Sequence, residues 1–173
     1  MASLEIKTAD ELIALDVEGR ARTRRAARET PAVRRILRMF LDRDGPISVA
    51  EMVAAFRGEP ADVIRQTLLA LDDDDLIRIR DGNIDIAYPF SASATPFLVR
   101  LPGGKQRYAC CATDALGVAP MVGERVEIRS HCHHCNVPLE FSATPDGPGP
   151  EADGVVLWVG KRPEDGCKAA DAL

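Results

Sequence analysis

A chain of 173 residues, 46% hydrophobic and 28% charged, is ordinary for a globular protein and long enough for one core or two small ones. No apolar run approaches the roughly 20 residues of a membrane helix, and Met1-Ala2-Ser3-Leu4-Glu5-Ile6-Lys7 lacks the layout of a signal peptide, so a cytoplasmic location with no membrane partner is expected. The net charge of -5 disfavours a polyphosphate partner, with Arg20 to Arg28 the one locally basic stretch.

In chain order, Thr8-Ala9-Asp10-Glu11 reads as a capping box opening a solvated helix or arm that Thr30-Pro31 interrupts. From Pro31, Val33, Ile36, Leu37, Phe40 and Leu41 recur at helical spacing, and the helix should end before Asp44-Gly45-Pro46. A second helix is expected from Ser48, capped by Ser48 and Glu51, with Val49, Met52, Val53 and Phe56 inward. A third should run from about Pro60 on Val63, Ile64, Leu68, Leu69 and Leu71 and stop in Asp72-Asp73-Asp74-Asp75. The alternating runs Leu76–Arg80 and Asn83–Tyr88 flank Asp81-Gly82, a hairpin signal.

Three helices and a hairpin predict a winged helix-turn-helix over residues 31–90, after an N-terminal arm of residues 1–30. DNA reading is disfavoured: the third helix offers only Arg65 and Gln66 as base contacts and ends in four aspartates. Its expected role is packing.

After the small-residue linker Ser91–Pro96, residues 91–173 read as a second, strand-rich domain. Strands are expected at Phe97–Arg100, Arg125–Arg129, Pro138–Phe141 and Gly154–Val159, with Thr144–Pro150 a surface loop. The predicted class is α+β: a winged-helix domain followed by a small mixed or antiparallel sheet with a short cysteine-bearing helix.

All five cysteines (Cys110, Cys111, Cys132, Cys135, Cys167) and all three histidines (His131, His133, His134) lie in this second region. An odd number of cysteines without an export signal argues for reduced thiols that bind metal or react. Tyr108 to Val118 suits a short helix that would put Cys111 and Asp114, three apart, on one face. A thiol near a helix N-terminus meets the positive end of the dipole, which favours the thiolate. Cys132-x-x-Cys135 has structural-zinc spacing, and Cys110 or Cys111 with a histidine would complete four ligands; the missing second CxxC weighs against resident zinc. The alternative is a turn with buried Cys132 and exposed imidazoles.

The stretch Arg107-Tyr108-Ala109-Cys110-Cys111-Ala112-Thr113-Asp114-Ala115-Leu116, then Pro120, Gly123-Glu124-Arg125-Val126 and Ser130-His131-Cys132, resembles the central motif of the organomercurial (alkylmercury) lyases over about 26 residues. In that family an aromatic-Ala-x-Cys-Ala-x-Asp-x-Leu segment leads through Pro and Gly-Arg to Ser-His-Cys, and a helical domain of winged type precedes the catalytic one. The resemblance implies that Cys111 is the first catalytic cysteine, Asp114 the catalytic acid and Cys132 a structural cysteine. It implies an organomercurial substrate, no required cofactor, Hg(II) bound as product, and small thiols or a mercuric reductase as its acceptor. The family's second catalytic cysteine lies in a Cys- and aromatic-rich stretch that is absent after Trp158, where the chain reads Lys161-Arg162-Pro163-Glu164-Asp165-Gly166-Cys167. Cys167 is the favoured second thiol and Cys110 the alternative.

Two thiolates suit soft Hg(II) and push electron density onto the carbon it holds, and a neighbouring carboxylic acid can then protonate that carbon. The reading from another class is a non-catalytic metal-binding or metal-sensing protein with a winged helix. Asp114 favours the enzyme, because a sensor needs no proton donor beside its ligand.

Overall fold

The computed structural model describes residues 30–158, Lys168 and Ala170. The arm of residues 1–30, apart from Thr30, and the Cys167 thiol lie outside them. From Ile36 onward the described residues belong to one compact unit.

Helix α1 spans Pro31–Asp42, α2 Val49–Ala55 and α3 Ala61–Asp73. Each sits where apolar periodicity and capping chemistry predict it. Ser48 is the N-cap of α2, and its hydroxyl accepts the Glu51 N–H at 3.1 Å. On α3 the buried residues Ile64, Leu68 and Leu71 recur at helical spacing, while Val63 and Leu69, expected inward, are about half exposed. The stripe is therefore narrower than the apolar residues alone suggest. The backbone N–H of Asp74 closes the helix on Ala70.

Strand β1 (Ile47–Ser48) precedes α2, and the hairpin of β2 (Ile77–Arg80) and β3 (Asn83–Ala87) follows α3. Asp81 and Gly82 are both left-handed at φ 51° and 72°. Two successive positive φ angles match the right-handed twist of the flanking strands, which is why Asp-Gly suits a two-residue hairpin turn. Beyond it come β4 (Phe90–Ser91), β5 (Leu98–Arg100), β6 (Gln106–Ala109), helix α4 (Ala112–Val122), β7 (Val126–His131), β8 (Pro138–Thr144), β9 (Gly147–Pro148) and a 3-10 turn at Pro150–Ala152.

These strands form one antiparallel sheet in the order β1-β3-β4-β6-β5-β7-β8-β9, with β2 on the other edge of β3. The small second sheet expected from the sequence is thus part of a larger one. Ser91 pairs with Ile86 on β3 and with Tyr108 on β6, so hydrogen bonding is continuous from the hairpin into the cysteine-bearing region. Two residues suffice for this connection, and so short a strand leaves no alternation to read. Gly147–Pro148, inside the expected loop, pairs with β8, whereas Val155 to Trp158 form no strand and are exposed, Trp158 at 77%. Apolar content there signalled a strand, but among the described residues no neighbouring strand pairs with it.

One end of the core holds Phe40 stacked on Phe90, ring centroids 6.3 Å apart, with Ile36, Ile47, Met52, Leu68 and Ile84 all buried. At the other end α4 crosses the sheet, touching β5 to β9. Ala115, Val118 and Ala119 on α4 are buried, as are Val99, Ile128 and Ala143 on the strands. Gly123, at φ 74°, ends α4 in the left-handed conformation, its N–H on the Ala119 carbonyl at 2.9 Å.

Arg107 on β6 is only 7% exposed and gathers the end of α1: its guanidinium donates to the Phe40 carbonyl, to the Leu41 carbonyl at 2.9 Å and to Asp44 at 2.7 Å. It also donates to the Gln106 carbonyl. A cation at a helix C-terminus satisfies carbonyls that have no intrahelical partner. Arg107→Leu is expected to lower stability by about 2–4 kcal/mol, since the buried Phe40 carbonyl and the half-buried Leu41 carbonyl lose their donor together. Arg107→Lys should recover only part, because a point ammonium cannot reproduce the planar fork. Urea melts of the two variants check both; equal stability of Arg107→Leu and the parent would remove this role.

Candidate active site

Strand β6 delivers the chain to the site. The Ala109 N–H donates to the Phe97 carbonyl at 2.9 Å, and the Ala109 carbonyl accepts the Thr95 hydroxyl at 2.6 Å. The Cys110 N–H donates to the Pro89 carbonyl at 2.9 Å. Tyr108 and Ala109 are therefore extended rather than helical, and the helix begins later than its Ala and Leu content suggests. Cross-strand bonds to β4 and β5 outweigh that local preference.

Cys111 is the N-cap of α4, extended at φ -149° and ψ 178°, and its sulfur accepts the Asp114 N–H at 3.4 Å. The Cys111 thiol in turn meets Asp114 Oδ2 at 3.0 Å. Thiol and carboxylate share one face at the helix start, as the three-residue spacing predicts. Both are half-buried.

The electrostatics differ from the sequence expectation. Burial, then the charge of Asp114 and its acceptance of a hydrogen bond, push the Cys111 thiol up to about 11, against weaker opposing help from the N–H groups of Asp114 and Thr113. The helix N-terminus does favour the thiolate, but the adjacent carboxylate and desolvation outweigh it. The resting pair is a protonated thiol donating to a carboxylate. Neighbouring Cys110 is buried at 3% exposure beside Ile86, Tyr88 and Ala170, and burial above all, then Asp114, pushes its thiol up strongly.

The sequence pointed to cysteines and missed the polar groups that fix Lys168 and Ala170 here. Arg78 and Asp85 form a two-pronged pair at 2.9 and 2.8 Å, their side chains 14% and 17% exposed, and Arg78 also donates to the Ala170 carbonyl. Asp75 accepts the Ala170 N–H at 3.3 Å, and Lys168 pairs with Asp72 at 2.8 Å. Two aspartates of the acidic run thus hold Lys168 and Ala170. The signal in sequence was an Arg and an Asp facing each other across the predicted hairpin.

Cys132 and Cys135 lie apart in chain and element, in the β7–β8 turn. Cys132 is half-buried and Cys135 exposed, with His131, His133 and His134 exposed beside them, so Cys132 is not the buried residue of the simpler reading. The N–H groups of Cys135 and His134, then the Cys135 thiol, lower the Cys132 thiol. Among the described residues no three or more His, Cys, Asp or Glu side chains are grouped to hold a metal ion.

Fold and site together define an α+β protein whose antiparallel sheet presents a hydrogen-bonded thiol–carboxylate pair at the start of a crossing helix. A family model described as MerB, alkylmercury lyase, matches residues 90–173, the part that contains this pair. An alkylmercury lyase of Staphylococcus epidermidis is 32% identical over 113 residues, 65% of this chain and 50% of that one. Those of Bacillus cereus and Clostridium butyricum are each 28% identical over 96 residues, 56% of this chain and 42% of theirs. Residues 90–173 are thus similar to the alkylmercury lyases. It spans about half the length of the curated relatives it matches. A crystal structure titled the mercury-bound form of MerB2 shares the fold, with a TM-score of 0.56 and 20% identity over 71% of this chain and 61% of the other.

Proposed function

We propose that the chain cleaves the carbon–mercury bond of organomercurials by protonolysis, with Cys111 as sulfur ligand and Asp114 as proton carrier. The observation that carries this is the 3.0 Å contact between the Cys111 thiol and the Asp114 carboxylate. A substrate arrives as R–Hg–SR′. The Cys111 S–H bond breaks as S–Hg forms, and its proton passes to Asp114. A second thiol displaces R′S, which leaves as R′SH. The C–Hg electron pair then takes the proton from Asp114, releasing R–H and leaving Hg(II) on two protein sulfurs. Every proton comes from a thiol, so no organic cofactor is needed.

The second thiol in this reading is Cys167. Its sequence neighbour Lys168 is tied to Asp72, and Ala170 packs beside Cys110, the residue preceding Cys111. Cys110 is the poorer choice because it is buried and its thiol resists ionisation. Small thiols or a mercuric reductase would then take up the Hg(II).

Incubating the full chain with phenylmercury and excess small thiol should release benzene, quantified by headspace chromatography. Mercury retained with no benzene formed would leave a binding protein instead of an enzyme.

Residues 31–90 fit a winged-helix packing module in this proposal. Arg65, one of the two residues available for base contacts, already pairs with Asp62 at 3.2 Å on exposed surface. A gel-shift titration is expected to show no salt-sensitive, sequence-dependent DNA binding. A shift that weakens steeply with salt would promote a regulatory role.

A further inference from the structure

Thr95 belongs to the small-residue stretch expected to act only as a linker, yet its hydroxyl completes a rung of the sheet. Phe97 and Ala109 face each other one step beyond the Leu98 and Tyr108 pair, and the Ala109 N–H donates to the Phe97 carbonyl at 2.9 Å. Opposed antiparallel residues that make one such bond ordinarily make its reciprocal. Here the Thr95 side chain stands in the place of the second bond: its oxygen accepts the Phe97 N–H at 3.2 Å and donates to the Ala109 carbonyl at 2.6 Å. The hydroxyl has one proton, and the Phe97 carbonyl, at 3.4 Å, is the more distant acceptor. A threonine that merely closed its own turn would need only the bond to the N–H two residues on. The bond to Ala109 reaches the end of β6, 14 residues along the chain.

The peptide unit between Ala109 and Cys110 is thereby held at both ends, its carbonyl by Thr95 and its N–H by the Pro89 carbonyl at 2.9 Å. Because that unit is planar, two anchors fix its orientation, and the orientation sets the direction in which Cys111 opens α4. Ala109 is fully buried, so water cannot replace the hydroxyl at its carbonyl. We infer that Thr95 is a positioning residue for carbon–mercury cleavage: its hydroxyl fixes the last peptide before the cysteines and so aims the Cys111–Asp114 pair at the substrate. It acts through the backbone, and its importance follows from how steeply rates fall when reacting groups are displaced, about 100-fold for a misplacement of about 1 Å.

The test compares Thr95→Val, which keeps the shape and deletes the hydroxyl, with Thr95→Ser, which keeps the hydroxyl. In phenylmercury turnover Thr95→Val should lower kcat about 10- to 100-fold with KM within about threefold of the parent, and Thr95→Ser should restore kcat to within about threefold. Only this measurement rests on the lyase reading. Ala109-Cys110 is the one Ala-Cys step in the sequence, so labelling alanine at its carbonyl carbon and cysteine at its nitrogen yields a single NMR cross-peak from the clamped peptide. That peak should move in Thr95→Val and return in Thr95→Ser. A parent that releases no benzene would sink the lyase reading, while the peak would still decide whether Thr95 holds the peptide. Parent kcat in a folded Thr95→Val protein, an unmoved peak, or no recovery with serine would overturn the role of Thr95. Thr95→Ala takes the place of the valine variant if that variant does not fold.

Discussion

Cys111→Ser should lower benzene release by roughly a thousandfold or more, equivalent to about 4 kcal/mol of transition-state stabilisation. An alcohol is a hard ligand and stays protonated at neutral pH, so it neither holds soft Hg(II) nor hands a proton to Asp114. The position makes the test clean. Cys111 is the N-cap of α4, and serine is among the preferred N-cap residues, so the helix start keeps its acceptor for the Asp114 N–H. The melting midpoint should therefore stay close to that of the parent while turnover disappears. Retained turnover would move the first thiol elsewhere and undo the assignment of the site.

Asp114→Asn separates binding from proton delivery. Organomercurial binding should persist through Cys111, while benzene release should fall about 100- to 10,000-fold, the usual range for a lost general acid. The same variant should change the pH dependence of Cys111. Burial raises that thiol first, but the two further causes are the charge and the hydrogen-bond acceptance of Asp114. Removing a negative neighbour stabilises the thiolate, so the pKa must move down from about 11. Alkylation by iodoacetamide at pH 8 should become several-fold faster in Asp114→Asn, with its pH profile displaced to lower pH. An unchanged profile would mean that burial alone sets the thiol, and that Asp114 does not receive its proton.

What could be read in the sequence was local. The three helices, the Ser48 cap and the Asp81-Gly82 turn each depend on residues within a few positions of one another. The Cys111–Asp114 pair was legible for the same reason, since three residues on a helix start are neighbours. Features set by distant partners were not. Arg107 meets α1 more than sixty residues away, and Asp72 and Asp75 meet the tail more than ninety away. The direction of the Cys111 shift belongs to this group too: a helix-dipole argument counts only the local field, whereas burial by the assembled fold is its largest cause.

The connection through Phe90–Ser91 bears on how freely residues 90–173 can be traded between proteins as a module. The family match begins at residue 90, inside β4 itself. Excised there, the module would bring β4 without β3, leaving a bare strand edge ready to pair with other chains, and would bring Arg107 without the carbonyls of α1. The boundary of sequence kinship is thus not a boundary of autonomous folding. A different N-terminal half could be grafted on only if it presents a strand to β4 and a helix end to Arg107 at the same two places, a docking requirement that constrains exchange as strongly as the chemistry does.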